Sequence, residues 1–232
     1  MLKSIAPSLP PSETKLVDRA RVELEERFVT LQLAPGSVWS EASLSESLEI
    51  GRTPVREAVA RMAMDGLVSV IRRAGIVISV ISIEDQLAVL EARQVLEKLV
   101  SVRAAARCSD EERAELIKLA KGIEQAGKKL DVHAYLRHHF QIKRFVARCA
   151  RNLHTERALR PLHTLSQRFY FAYHREFDNL HVVGPAHAEL TRAIAEGDEA
   201  RAASRSDVVS DIATSFTREL LDRKTGTKRR AA

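Results

Sequence analysis

The stretch Arg52–Asp65, RTPVREAVARMAMD, decides how this chain is read. Thr53 is a good N-cap and Pro54 suits the first helical position, where its missing N–H costs nothing, so the residues predict a helix that starts there. Val55, Val59 and Met62 recur at helical spacing on one face, which must pack inward. Arg52, Thr53, Pro54 and Arg56 stay at the exposed N-terminal end, where a helix lying in the major groove of DNA meets base edges and phosphates. Taken alone, the pattern fits an ordinary amphipathic helix with a solvated charged side equally well. The flanking residues separate the two readings.

Upstream, Leu16, Ala20, Leu24, Phe28 and Leu31 repeat at spacings of four and three, predicting a first helix that stops before Pro35-Gly36. In the following SEASLSESLEIG, Ser40 can cap a short helix with inner positions Leu44 and Leu48, and Glu49-Ile50-Gly51 is a tight turn into the Arg52 helix. Two short helices joined by such a turn, the second bearing arginines, make a helix-turn-helix. Downstream, GLVSVIRRAGIVISVI changes to β-branched runs on either side of Arg72-Arg73-Ala74-Gly75. That change predicts a hairpin in which Gly75 supplies the turn conformation, with Arg72 and Arg73 at its tip within reach of phosphates or the minor groove. A solvated tip with no partner is the plainer alternative.

Composition bounds the rest. At 232 residues with 45% hydrophobic content, the chain can build one large or two small cores. Scarce aromatics and stretches rich in Ala, Leu, Glu, Arg and Lys point to a mainly helical protein. The net charge of +6 suggests nucleic acid, but residues 1–82 hold 10 basic and 10 acidic residues, residues 83–222 hold 22 and 21, and the last ten hold 5 and 0. The excess therefore sits in 223–232, read as a disordered basic tail, and DNA binding has to be argued from local geometry. Cys108 and Cys149 lack CxxC spacing and are read as reduced packing residues. No apolar run approaches a membrane span and the N-terminus has no signal-peptide core, so the expectation is a soluble cytoplasmic protein without membrane contact.

The run APGSVWSEASLSESLEIGRTPVREAVARMAMDGLVSVIRRAGIVI resembles the winged helix-turn-helix domain of GntR-type transcriptional regulators. The shared features are the PG turn, the SE opening of the second helix, RTPVREA, and DGLV followed by a Gly-containing wing. By that resemblance Arg52, Thr53, Arg56 and the wing around Gly75 fall on DNA-contacting positions, and Ser40 opens the second helix beside them. One departure is Ala42, where family members often carry Arg. Beyond Ser82 the pattern is helical almost throughout, with breaks near Ser109-Asp110, Gly127, Asn152, Gly184-Pro185 and Gly197-Asp198, which predicts about six helices and no strands. EARQVLE, Asn152 and HAELTRAIAEGDEARAA resemble the FCD-type effector domain of FadR-like members of that family. The resemblance implies a homodimer whose helical domain binds a small molecule, often a carboxylate, with a divalent metal commonly held by Asp and His.

The positions that the resemblance assigns to the metal ligands are His139, Lys143, His187 and Val209 in this chain. Lys143 repels a cation and offers no lone pair near neutral pH, so no divalent metal is expected, His139 and His187 being the weak candidates. Helical geometry gives these positions another meaning. Lys143 lies close to the inner stripe of Leu136, Phe140 and Ala147, with His139 at its edge. His187 aligns with Leu190 and Ile194, Arg93 with Leu90, Leu96 and Val100, and Arg205 lies one turn before Val209. Cations that point where apolar residues point need an anion. It can be internal, with Glu97 one turn after Arg93 and Lys143 reaching out to solvent, or it can be a bound carboxylate or phosphate. The expected effector pocket comprises Arg93, His139, Lys143, Asn152, His187 and Arg205, with Lys143 as the fixed positive charge. The remaining histidines, His163 among them, are read as surface or capping residues.

The expectation is therefore a winged helix-turn-helix domain at 12–81, an all-helical effector and dimerisation bundle at 82–222, and a basic tail. Its partners are a double-stranded DNA operator, a second copy of the chain and a small carboxylate. Ligand-independent architectural binding and metal-dependent carboxylate sensing are the alternatives. Nothing catalytic is expected, because no nucleophile with an adjacent base and no phosphate loop is present.

Overall fold

The computed structural model describes residues 16–176 and 178–226. The chain divides between residues 81 and 82 into two compact units.

In the first unit, α1 (Leu16–Val29) buries Ala20, Leu24 and Phe28. Leu31, expected on the same face, instead leaves the helix with positive φ, and Leu33 takes the buried place. A two-residue strand β1 (Val38–Trp39) precedes α2 (Glu41–Leu48), whose Ser40 cap accepts from Ser43 N at 2.9 Å and whose inner positions are Leu44 and Leu48. Glu49, in the left-handed region at φ 54, reverses the chain into α3 (Arg52–Met64). Val55, Ala58, Val59 and Met62 form the buried face of α3. Val55 N donates to Gly51 O, so Gly51, not Thr53, is the N-cap, and Pro54 is the third helical residue. Proline is tolerated there for the reason that was expected one position earlier: N–H groups of the first turn have no intrahelical acceptor.

Strands β2 (Val68–Ile71) and β3 (Gly75–Ile78) form the hairpin, and β1 joins it to give the antiparallel order β1-β3-β2. Gly75 has φ +111, and a Cβ on it would lie 2.7 Å from the Trp39 carbonyl oxygen, so the residue serves the packing of β1 as well as the turn. Arg73 at the tip also adopts positive φ. Arg21, buried in α1, donates to Glu25 and to Asp65 at the end of α3, tying the first and third helices together.

The second unit contains, among the described residues, α4 (Ile83–Arg107), α5 (Asp110–Lys128), α6 (Val132–Cys149), α7 (Leu153–Ala172), α8 (Leu180–Glu196) and α9 (Glu199–Thr225), with a single 3-10 turn at His174–Glu176. Ser82, Ser109, Asp131, Asn152 and Asp198 each cap the helix that follows by accepting from the backbone N–H three residues on. Gly184-Pro185, expected as a break, lies inside α8. Gly184 faces Gly127 of α5, where an added Cβ would meet the Gly127 Cα at 2.8 Å, so the pair lets two backbones cross closely. Pro185 forgoes one helical hydrogen bond. The last helix also runs further than the predicted tail boundary. Arg223 and Lys224 are helical, with Lys224 over the Tyr173 ring, and Gly226 closes α9 in the left-handed conformation. The basic residues 228–230 lie outside the described residues.

Candidate functional site

Two sites stand out, one on each unit. On the first, Arg52 and Thr53 open α3, with Pro54 and Arg56 in the same turn; all but the half-buried Pro54 are exposed. Arg52 has no ion-pair partner among the described residues, and Arg72 and Arg73 project from the exposed hairpin tip. Arg56 pairs at the surface with Glu41, Nη2 to Oε2 at 2.8 Å, and the pair draws the Glu41 carboxyl below its ordinary value. A solvated pair of this kind is held weakly, so Arg56 can exchange Glu41 for a phosphate or base edge. Ser40 is likewise exposed, but its hydroxyl is engaged in capping α2.

On the second unit, α4, α6, α7, α8 and α9 line a pocket that is partly open to solvent. Its polar wall includes Arg93 and Glu97 of α4, His139 and Lys143 of α6, Tyr170 of α7 and His187 of α8. Leu90, Val183, Val209 and Phe216 supply much of the apolar wall. Glu97 is the hub. Its Oε1 accepts from Arg93 Nη2 at 2.6 Å and lies 3.0 Å from His163 Nε2, while its Oε2 accepts from Lys143 Nζ at 2.6 Å. All four side chains are buried.

Burial alone would push the Glu97 carboxyl up, but Arg93, Lys143 and His163 outweigh it and hold it well below the usual carboxylate range. Burial also lowers the Lys143 ammonium, with Glu97 opposing. His139 and His187 stand with ring centroids 4.6 Å apart, and burial, reinforced by the cations around them, pushes both well below the ordinary imidazole value. Both rings are therefore neutral near pH 7. With Arg93 and Lys143 charged against one carboxylate, the cluster holds one net buried positive charge. Nη1 of Arg93 and Nδ1 of His139 are buried with no hydrogen-bond partner within the protein.

The internal anion is present, and it sits in the wall of a pocket. Glu97 neutralises Arg93 as one reading foresaw, yet Lys143 does not reach solvent; it shares the same carboxylate. Four of the six expected pocket residues line one cavity: Arg93, His139, Lys143 and His187. The other two do not. Asn152 is spent on capping α7, its Oδ1 accepting from Thr155 N, and Arg205 is exposed on the outer side of α9. His163, read from sequence as a surface residue, is buried against Glu97. Its spacing from Leu159, Ser166 and Tyr170 along α7 was the available signal, since all four share an inner face. The divalent metal implied by the resemblance does not fit this donor set. Of the four positions, Lys143 is a cation hydrogen-bonded to Glu97 and Val209 has no donor, which leaves two imidazoles and no free carboxylate.

Comparison with known proteins follows the same division. Residues 16–78 match the family model for bacterial regulatory proteins, gntR family, and residues 88–208 match the FCD domain model. Among solved structures, E. coli McbR/YncC is similar over 90% of this chain and 99% of that one, with TM-score 0.77 at 16% identity, a likeness of fold. An HTH-type transcriptional regulator of an unstable DNA locus in Streptomyces ambofaciens is 41% identical over 58 residues, 25% of each chain. Another, in the TAR-I ttuE-ttuC' intergenic region of Agrobacterium vitis, is 37% identical over 71 residues, 31% of this chain and 42% of that protein. The chain thus spans well under two thirds of the curated relatives it matches. No helix among the described residues is long and apolar enough to cross a membrane.

Proposed function

Because this chain belongs to the gntR family of bacterial regulatory proteins that carry an FCD domain, a family of regulators and not of enzymes, we propose that it is a DNA-binding transcriptional regulator whose operator affinity is set by a small carboxylate held in the helical unit. The observation that carries the second half is the charge imbalance around Glu97. Two cations share one buried carboxylate, an Arg93 N–H group lacks a partner, and the cluster borders a pocket with an apolar wall. A carboxylate there cancels the excess charge and accepts from Arg93 and Lys143, at the point where burial makes such bonds strongest. The neutral His139 and His187 offer further hydrogen bonds without adding charge. The apolar residues Val183, Val209 and Phe216 would then select the carbon skeleton.

On the first unit, Arg52, Thr53 and Arg56 read the major groove, while Arg72 and Arg73 contact the backbone or minor groove from the wing. A homodimer presents two such helices to a two-fold operator, and the carboxylate shifts the population of arrangements able to span both half-sites. A thermal-shift screen of mono- and dicarboxylates, with and without chelator, tests the pocket. A carboxylate-dependent shift indifferent to chelator is the expected result. A chelator-sensitive shift would restore the metal-dependent reading, and silence toward every acid would favour ligand-independent binding.

A further inference from the structure

Outside the lining of the cavity just described, a second cluster gathers at three helix ends. Cys108 is the C-cap of α4, Glu112 lies in the first turn of α5 and Cys149 is the last residue of α6. The two sulfurs and a Glu112 carboxylate oxygen all lie within 4.8 Å of one another, and both cysteines are buried and unoxidised. We propose that Cys108, Cys149 and Glu112 form a binding site for a single thiophilic cation of the zinc(II) class.

The geometry sets the argument. Zinc–sulfur distances of about 2.3 Å and zinc–oxygen distances of about 2.0–2.2 Å, at tetrahedral angles, place neighbouring donors roughly 3.5–3.8 Å apart. The donors here, within 4.8 Å of one another, stand no more than about 1.3 Å outside that spacing. The carboxylate is held ready by groups that are not ligands: Arg151 Nη2 donates to Oε1 at 2.7 Å and the Ser109 backbone N–H donates to Oε2 at 3.0 Å. Partners of this kind fix ligand orientation in metal sites. The Cys149 thiol also hydrogen-bonds the Glu112 carboxylate, so a cation would take the place of that thiol proton.

Charge is also compatible. Binding a divalent cation displaces the two thiol protons; two thiolates and a carboxylate then exceed the cation by one negative charge, and Arg151, paired with Glu112 at 2.7 Å, brings one positive charge to the site. Two soft sulfur donors select a zinc-like ion over magnesium or calcium, and three protein ligands leave the fourth position to water. A bound ion would tie the end of α4 to the end of α6, the two helices that carry Arg93, Glu97, His139 and Lys143.

Cobalt(II) titrated into the reduced full-length chain tests the site. We expect thiolate-to-cobalt charge-transfer absorption that saturates at one equivalent, is displaced by zinc, and disappears in Cys108→Ser/Cys149→Ser. Glu112→Gln should weaken binding tenfold or more, whereas His187→Gln should leave it unchanged. X-ray absorption on the zinc-loaded wild type guards against a variant that fails to fold, and should show two sulfur neighbours. A zinc shell of nitrogen and oxygen alone, or cobalt absorption that survives loss of both cysteines, would overturn the proposal.

Discussion

Arg52 and Arg56 of the first unit and Arg93 and Lys143 of the second are the same kind of charge in opposite settings. The first two stand in solvent at the start of α3, one without an ion-pair partner among the described residues and one loosely paired with Glu41. The second two are buried on a single carboxylate. An exposed cation costs the fold little and is free to meet a phosphate, so its removal should be felt in binding. A buried cation is part of the core, so its partners determine stability first and ligand response second.

That contrast can be broken most severely at Glu97. Glu97→Gln leaves Arg93 and Lys143 buried without their counter-charge, and urea unfolding should show a loss of about 3–5 kcal/mol. Saturating carboxylate or phosphate should recover part of it; a variant as stable as the wild type would mean that the cluster is solvated. Lys143→Met acts on the same site in the opposite sense, leaving Arg93 matched one-to-one with Glu97. Because Glu97 keeps Arg93 as a partner, it should cost less than Glu97→Gln while abolishing carboxylate-induced thermal shifts.

pH sharpens the comparison further. Folding lowers the proton affinity of His139 and His187, so below about pH 6.5 the unfolded chain binds more protons and the fold loses stability as pH falls. The depressed Glu97 carboxyl adds loss of the same sign once pH drops below the ordinary carboxylate range. Melting curves from pH 8 to pH 5 should fall in the wild type and fall less steeply in His139→Phe/His187→Phe, where His163, also lowered by burial, keeps part of the dependence. On the exposed side, Arg52→Ala should weaken operator binding roughly tenfold to a hundredfold with no change in melting temperature. Mobility shifts at two salt concentrations then tell a base contact from a phosphate contact, which alone reduces the salt slope. The smallest effect belongs to Arg205→Ala, which should alter neither carboxylate binding nor stability measurably.

The two units were not equally legible. In the first, short amphipathic helices and turn residues carry the fold locally, so Leu44, Leu48, Val55, Val59 and Met62 announce their burial by spacing alone. What spacing could not supply was β1, whose two residues are too short for any periodicity and gain strand character only from β3. In the second unit, spacing correctly placed Arg93, His139, Lys143 and His187 on inner faces. It could not say that Glu97 serves three partners at once, because His163 reaches it from α7 across 66 residues of sequence. Asn152 misled because a cap and a pocket residue have the same polar side chain, and Gly184-Pro185 misled because close helix crossing and helix termination both favour glycine.

The central claim is that occupancy of the buried cationic cluster alters the grip of the exposed cations on DNA. Its most direct test is a titration of wild type and Lys143→Met against an operator selected from random duplexes, each with and without the carboxylate that stabilises the wild type. We predict equal affinities for the two proteins in the absence of carboxylate and a ligand-dependent change of fivefold or more in the wild type alone. An identical response in Lys143→Met, or an affinity in the wild type that carboxylate leaves untouched, would contradict the account.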